Sequence, residues 1–164
     1  IFNISVPVAL APAPEREIEH QLAKPLDRAR GYLANRTILI ADDDVLNLMI
    51  MKELLDQGHA GRVLTAANGL EAVKILGRHK CDLIFMDIQM PVVDGLTATR
   101  EIRNCGQPFS NVPIVAVTAA VHPDDVARYK EAGMNAVLPK PVIIDALFET
   151  IEPLLSGRRH SKAA

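Results

Sequence analysis

The sequence predicts an α/β domain built on a doubly wound, five-stranded parallel sheet in the order 2-1-3-4-5. Three observations predict it. From Thr37 onward, short apolar runs alternate with stretches of helical periodicity. The run Leu83–Met86 is apolar throughout, as expected for a strand covered on both faces. Five βα units are too few to close a barrel, so the sheet stays open with helices on both sides.

The first strand is expected at Ile38–Ala41, followed by a helix whose apolar positions Val45, Leu48, Met49 and Leu55 fall at helical spacing. Asp44 stands where it can cap that helix, and Gly58 and Gly61 end it. Val63–Ala66 is the second strand, and Leu70, Val73 and Leu76 mark a second helix that stops near Gly77. After the third strand, Leu83–Met86, comes a helix over Gly95–Arg103. The fourth strand, Ile114–Val117, leads to a helix over Pro123–Ala132, and the fifth, Ala136–Leu138, to a helix over Ile143–Leu155.

Residues 1–36 differ from this pattern. Ile1–Leu10 alternates like a strand stub and is broken by Ala11-Pro12-Ala13-Pro14; the charged stretch Glu15–Arg36, with scattered apolar Ile18, Leu22, Leu26 and Tyr32, reads as a linker. The expected division is therefore 1–36 stub and linker, 37–156 domain, 157–164 solvated tail. The tail holds the only basic cluster, Arg158, Arg159, His160 and Lys162.

Composition narrows the function classes. The 164 residues are 49% hydrophobic and 23% charged, which suits one globular domain with short extensions. A net charge of -2 supplies no basic field for nucleic acid. The longest apolar runs are broken by Pro, Asn or Thr and fall below the ~18 residues of a membrane span, so no membrane contact is expected. Cys81 and Cys105 lack metal or redox spacing and read as reduced packing thiols of a cytoplasmic protein. The chain opens on Ile1 without a basic leader, as a piece of a longer polypeptide would.

The chemistry gathers at the strand ends. In a parallel sheet ligands bind outside the carboxyl ends of the strands, and in this strand order the first and third strands are neighbours at the switch point. That brings Asp42 and Asp43 beside Asp87, with Thr118 and Lys140 ending the fourth and fifth strands. Clustered carboxylates raise one another's pKa unless a cation neutralises them. Oxygen ligands without His or Cys favour Mg²⁺, with Asp43 and Asp87 as protein ligands. An ionised carboxylate needs no general base to attack phosphorus, and Asp87 is best placed as nucleophile, with the Lys140 ammonium and the Thr118 hydroxyl neutralising phosphoryl charge. Each residue alone has an ordinary reading: a cap, a strand-end hydroxyl, a surface lysine. The combination at four strand ends is what points to phosphoryl chemistry.

Residues 37–156 resemble the receiver domain of two-component response regulators, a flavodoxin-like fold. The resemblance is carried by Ala41-Asp42-Asp43-Asp44, by DIQMPVVDG beginning at Asp87, by Thr118-Ala119 and by Lys140-Pro141. It implies that Asp87 accepts a phosphoryl group from a phosphohistidine. It further implies that Asp42, Asp43, Asp87 and the backbone carbonyl of Gln89 hold Mg²⁺, that Lys140 and Thr118 contact the phosphoryl oxygens, and that the bond before Pro141 is cis. The forms DDDVLN, with Asn47, and DIQMPVVDG look most like receivers attached to hybrid sensor histidine kinases, and IFNISVPVAL is similar to the last strand of a kinase ATP-binding domain. The partners so implied are the phosphoacceptor domain of a histidine kinase and a histidine phosphotransfer protein.

Several residues depart from, or lie beside, that pattern. Val137 stands where many receivers carry an aromatic three positions before the lysine, so an aromatic rotamer switch is not expected. The loop Thr118–Asp124 and repacking of the fourth helix would carry any change. Gln89 and Ala120 occupy positions that modulate loss of the phosphoryl group in the family. His20-Gln21-Leu22-Ala23-Lys24-Pro25-Leu26 has the spacing of a kinase phosphoacceptor histidine but lacks its flanking residues, and a linker histidine is the better account. His59, His79, His122 and His160 have no partners at ligand spacing. Two rival functions remain: a degenerate receiver that only binds protein, and a metal-dependent phosphatase with an aspartyl nucleophile, which would want Asp-x-Asp after the first strand.

Overall fold

The computed structural model describes residues 31–156. The strand stub, the His20 segment and the basic tail lie outside the described residues. Five strands, β1 (Thr37–Ala41), β2 (Arg62–Ala66), β3 (Leu83–Asp87), β4 (Ile114–Thr118) and β5 (Ala136–Pro139), form one parallel sheet in the order β2-β1-β3-β4-β5. All four pairings are parallel, and the register sets Ala41 beside Met86 and Asp87 beside Val117. Helices α1 (Val45–Gln57), α2 (Gly69–Leu76), α3 (Gly95–Asn104), α4 (Pro123–Ala132) and α5 (Ile144–Ser156) follow the strands in turn, with a short 3-10 turn at Pro108–Asn111.

The two-residue period of the strands divides the core in two. Ile38, Ile40, Leu83, Phe85, Val115 and Val117 point to one side, where Met51 and Leu55 of α1 and Leu147, Phe148 and Ile151 of α5 cover them. Leu39, Ala41, Ile84, Met86, Ile114 and Ala116 point to the other, against Ala72 and Leu76 of α2, Ala98 and Ile102 of α3 and Tyr129 and Ala132 of α4. With both faces covered, β3 and β4 are buried at every position.

Local signals fix the helix ends. Asp44 accepts from the Leu46 amide at 2.8 Å at the start of α1, Asn68 from Glu71 at 2.9 Å and Asp94 from Thr97 at 2.9 Å. Glu71 reaches back to the Ala67 amide at 2.8 Å, so α2 opens on a reciprocal cap. Gly133 closes α4 with φ 100°, a left-handed conformation that favours glycine.

Two expectations are corrected. Val45 and Met49 do not face the sheet. They are 65% and 63% exposed, and Leu46 and Ile50 join them on the outer face of α1. The helix is apolar on both sides, so spacing alone could not select the buried one; Met51 and Leu55 form it, with Leu48 and Leu54 partly buried. The packed unit also begins before Thr37. Residues 31–33 are helical, Leu33 is fully buried in the α1–α5 core, and the Arg36 guanidinium donates to the Leu155 carbonyl at 3.0 Å. A charged segment with sparse apolar residues looks like a linker until one of those residues finds a hydrophobic slot. Among the described residues no helix is long and apolar enough to cross a membrane.

Candidate functional site

The carboxyl ends of β1, β3, β4 and β5 bring the expected residues together. Asp42 follows β1 and is buried; its Oδ1 accepts from the Asp44 amide at 2.9 Å and from Asn47 Nδ2 at 3.1 Å. Asp87 is the last residue of β3 and is also buried. Lys140, just past β5, places Nζ 2.8 Å from Asp42 Oδ2 and 3.0 Å from Asp87 Oδ2, so one ammonium bridges two carboxylates from neighbouring strands. The Lys140 amide donates to the Thr118 carbonyl at 2.9 Å, which ties the ends of β4 and β5. The Lys140-Pro141 peptide is cis.

Asp43 is exposed, yet its carboxylate, with those of Asp42 and Asp87, forms a group whose ligand atoms all lie within 4.8 Å of one another. Gln89 is exposed, and its amide makes a long 3.4 Å contact with Asp87 Oδ1. Thr118 is buried at the end of β4, and its Oγ1 accepts from the Ala120 amide at 3.1 Å.

The electrostatics are those of a site short of positive charge. Burial pushes the Asp87 carboxyl above the usual carboxylate range, with the negative charge of Asp42 adding to it, although the hydrogen bond and charge of Lys140 act against the rise. Burial draws Lys140 downward, but its hydrogen bonds to Asp42 and Asp87 outweigh it and leave the ammonium more firmly protonated than a free lysine. Lys140 thus serves two carboxylates with a third, Asp43, beside them, and the donor set among the described residues is oxygen only, which suits a hard divalent ion.

Three further residues shape the site. Asn47, in the first turn of α1, orients Asp42 through the 3.1 Å bond. Gly95 opens α3 where a Cβ would collide with the Asp87 carbonyl oxygen and lie 3.0 Å from Met86 Cγ; only glycine lets the α3 start approach the end of β3 so closely. Tyr129 of α4 is buried, and its hydroxyl donates to the Ala120 carbonyl at 3.1 Å and lies 3.5 Å from Thr118 Oγ1. In the sequence Gly95 marks only a helix start and Tyr129 carries no signal of the site, because nothing in a chain position eleven residues past Thr118 reveals where a helix will aim a ring.

A buried aspartate, an acidic pair and a bridging lysine thus stand together at the switch point of a 2-1-3-4-5 sheet. Residues 38–152 match the response regulator receiver domain, and the chain belongs to that family. It is 32% identical over 120 residues to the polar-differentiation response regulator DivK of Brucella anthropi, a match covering 73% of this chain and 96% of that protein. Among solved structures it is similar to the receiver domain of the sensor histidine kinase PA1611 from Pseudomonas aeruginosa PAO1, which has a magnesium ion coordinated in its active site cleft. That match has 34% identity and a TM-score of 0.68, over 75% of this chain and 99% of that one. It is similar as well to a chain in the co-crystal of the Saccharomyces cerevisiae histidine phosphotransfer protein Ypd1 with the receiver domain of Ssk1. There the identity is 31% and the TM-score 0.68, over 79% of this chain and 96% of the other.

Proposed function

We propose that this chain is the receiver of a hybrid sensor histidine kinase, taking a phosphoryl group from a phosphohistidine onto Asp87 and exchanging it with a histidine phosphotransfer protein. The observation that carries the acceptor role is the bridge from Lys140 Nζ to Asp42 and Asp87, at 2.8 and 3.0 Å, inside a cluster that still holds excess negative charge. Asp87 Oδ2 is held by Lys140, while Oδ1, among the described residues, has the long Gln89 contact alone and is the freer oxygen for attack. In the transfer an Asp87 oxygen forms the O–P bond as the P–N bond of the phosphohistidine breaks. The imidazole nitrogen keeps that electron pair and then takes a proton. Lys140 neutralises phosphoryl charge as it develops, and Thr118 donates its hydroxyl proton to a phosphoryl oxygen.

The donor set fits Mg²⁺. Asp42, Asp43 and Asp87 each offer a carboxylate oxygen within 4.8 Å of the others, and Asp42 Oδ2, which accepts one bond from Lys140, keeps a lone pair, so these three are read as the side chains that hold the ion, with the Gln89 carbonyl as the backbone ligand. When bound, the ion supplies charge neutralisation and orients phosphoryl oxygens. The magnesium in the PA1611 receiver supports this reading.

The partner is read as a helical one. Val45, Leu46, Met49 and Ile50 leave an apolar face on α1, directly after the acidic loop, each at least 54% exposed. Such a face beside the acceptor suits a partner helix carrying a histidine, and the Ypd1–Ssk1 co-crystal supports a histidine phosphotransfer protein as the class of partner. The reading is tested by Mg²⁺-dependent labelling with a small phosphoryl donor, lost in Asp87→Asn. No labelling would favour the protein-binding module, and sustained phosphate-ester turnover the phosphatase. The kinase context is tested by the sequence preceding Ile1, where a phosphoacceptor helix and ATP-binding boxes are expected.

A further inference from the structure

A cavity of about 630 Å³ opens on the opposite edge of the sheet from the acidic site. It lies between the end of α2 and the 3-10 turn, just before the starts of β1, β3 and β4, and the length of β3 separates it from Asp87 by about 16 Å. Leu76, Cys81 and Val112 give it a buried apolar floor, and Phe109, half-buried against the same core cluster, adds an aromatic ring. An apolar hollow of this size with a few polar groups at its edge has the anatomy of a small-molecule site.

The charge around it is the reverse of that at the acceptor end. Arg78 and Lys80 line the cavity, both exposed, and among the described residues neither side chain makes an ion pair or a hydrogen bond. Arg36 adds a third cation, anchored on the Leu155 carbonyl at 3.0 Å. The carboxylate of Asp82, which also lines the cavity, is engaged through Oδ2 by the Thr37 amide at 2.9 Å. In a chain of net charge -2, cations gathered without acidic partners at the mouth of a low-dielectric hollow focus a local field that draws anions. A merely solvated cationic face needs no cavity, and an acidic peptide lying across the surface needs no apolar floor. We propose that this cavity binds a mononucleotide-sized anion, its planar ring on Phe109 and its anionic group held by Arg78 and Lys80. The proposal stands apart from the acceptor role of Asp87.

The full chain, free of divalent metal, is titrated with AMP while the backbone amide NMR signals of Arg78–Asp82 and Phe109–Val112 are followed. Adenosine and inorganic phosphate serve as the two halves of the probe, and triglutamate as a plain polyanion. AMP is expected to shift these signals saturably, and to leave those of Asp42, Asp87 and Lys140 in place. Adenosine and phosphate are each expected to bind at least about tenfold more weakly, because each engages half of the site. Arg78→Glu with Lys80→Glu, at exposed positions, is expected to weaken AMP binding about tenfold or more and to leave Asp87 labelling unchanged. Phe109→Leu, which keeps an apolar side chain on the core, is expected to weaken AMP and adenosine but not phosphate, and the spectrum of each variant reports its fold. No saturable shift at millimolar AMP would overturn the inference. So would phosphate or triglutamate binding as tightly as AMP, or a folded double variant that binds AMP like the wild type.

Discussion

Replacing Asp87 by Asn is expected to abolish phosphoryl acceptance and, at the same time, to stabilise the metal-free protein. The attraction between Lys140 Nζ and Asp87 Oδ2 at 3.0 Å is about 5.5 kcal/mol at an effective dielectric of about 20. Opposing it, carboxylate oxygens of Asp42 and Asp43 lie within 4.8 Å; the buried Asp42 repels Asp87 by about 3.5 kcal/mol on the same scale, and the exposed Asp43, screened by water, by less. The two effects nearly cancel. What is left is the burial of an ionised carboxylate, which the raised Asp87 pKa reflects. Asn keeps an acceptor oxygen for Lys140 without the charge, so the expected gain is about 1 kcal/mol, or a Tm increase of about 3–5 °C for a domain of this size. The sign with pH follows. A carboxyl whose folded pKa is raised contributes stability that is complete below its unfolded pKa and is lost as pH rises through the folded value. Asn imitates the protonated form at every pH, so its advantage is largest near neutrality and closes in acid. The assay is thermal unfolding of both chains in chelator across pH, then with Mg²⁺, which should raise the wild-type Tm more than that of the variant. A variant that melts several degrees below the wild type at neutral pH in chelator would show that the lysine attraction outweighs the carboxylate excess, and the charge argument would be wrong.

Gly95→Ala is expected to destabilise by about 2–3 kcal/mol and to depress labelling, because its Cβ would displace the Asp87 carbonyl; denaturant unfolding and the labelling assay check both. Asp94→Ala removes the cap of α3 and should cost about 1 kcal/mol. Burial nudges the Asp94 carboxyl upward, but hydrogen bonds from the Thr97 amide and hydroxyl outweigh this and hold it below the usual carboxylate range. Its contribution is therefore present at neutral pH and lost as pH falls through the depressed value, so the wild-type and Asp94→Ala unfolding curves should converge in acid. Cys105 should react with a maleimide at neutral pH well before Cys81, whose thiol burial and then the neighbouring Asp82 push up to about 11; mass mapping that found Cys81 modified first would refute this.

Much of the molecule was legible in residue order. The strand assignments follow from three- to four-residue, mostly apolar runs, which have few alternatives once amphipathic stretches separate them. The cap at Asp44 is local chemistry, settled within two residues of its side chain, whereas the caps at Asn68 and Asp94, of the same local kind, emerge only in the structure. Asp42, Asp43, Asp87, Thr118 and Lys140 could be grouped because the position after a parallel strand has one destination, and strand order then fixes the neighbours. The orientation of α1 was not legible, since Val45, Leu46, Met49 and Ile50 are as apolar as the residues that face the sheet.

The sequence by itself determined the period of each element, the strand-end chemistry and the excess of acid over base at the site, because these depend on residue type and local spacing. Only the tertiary structure decided which face of α1 is covered, that Leu33 and Arg36 belong to the packed domain, that Lys140 divides its ammonium between Asp42 and Asp87, and that Tyr129 reaches Thr118. Those outcomes depend on how separate elements pack in three dimensions, and a contact between Asp42 and a lysine ninety-eight positions away has no signature in either local sequence.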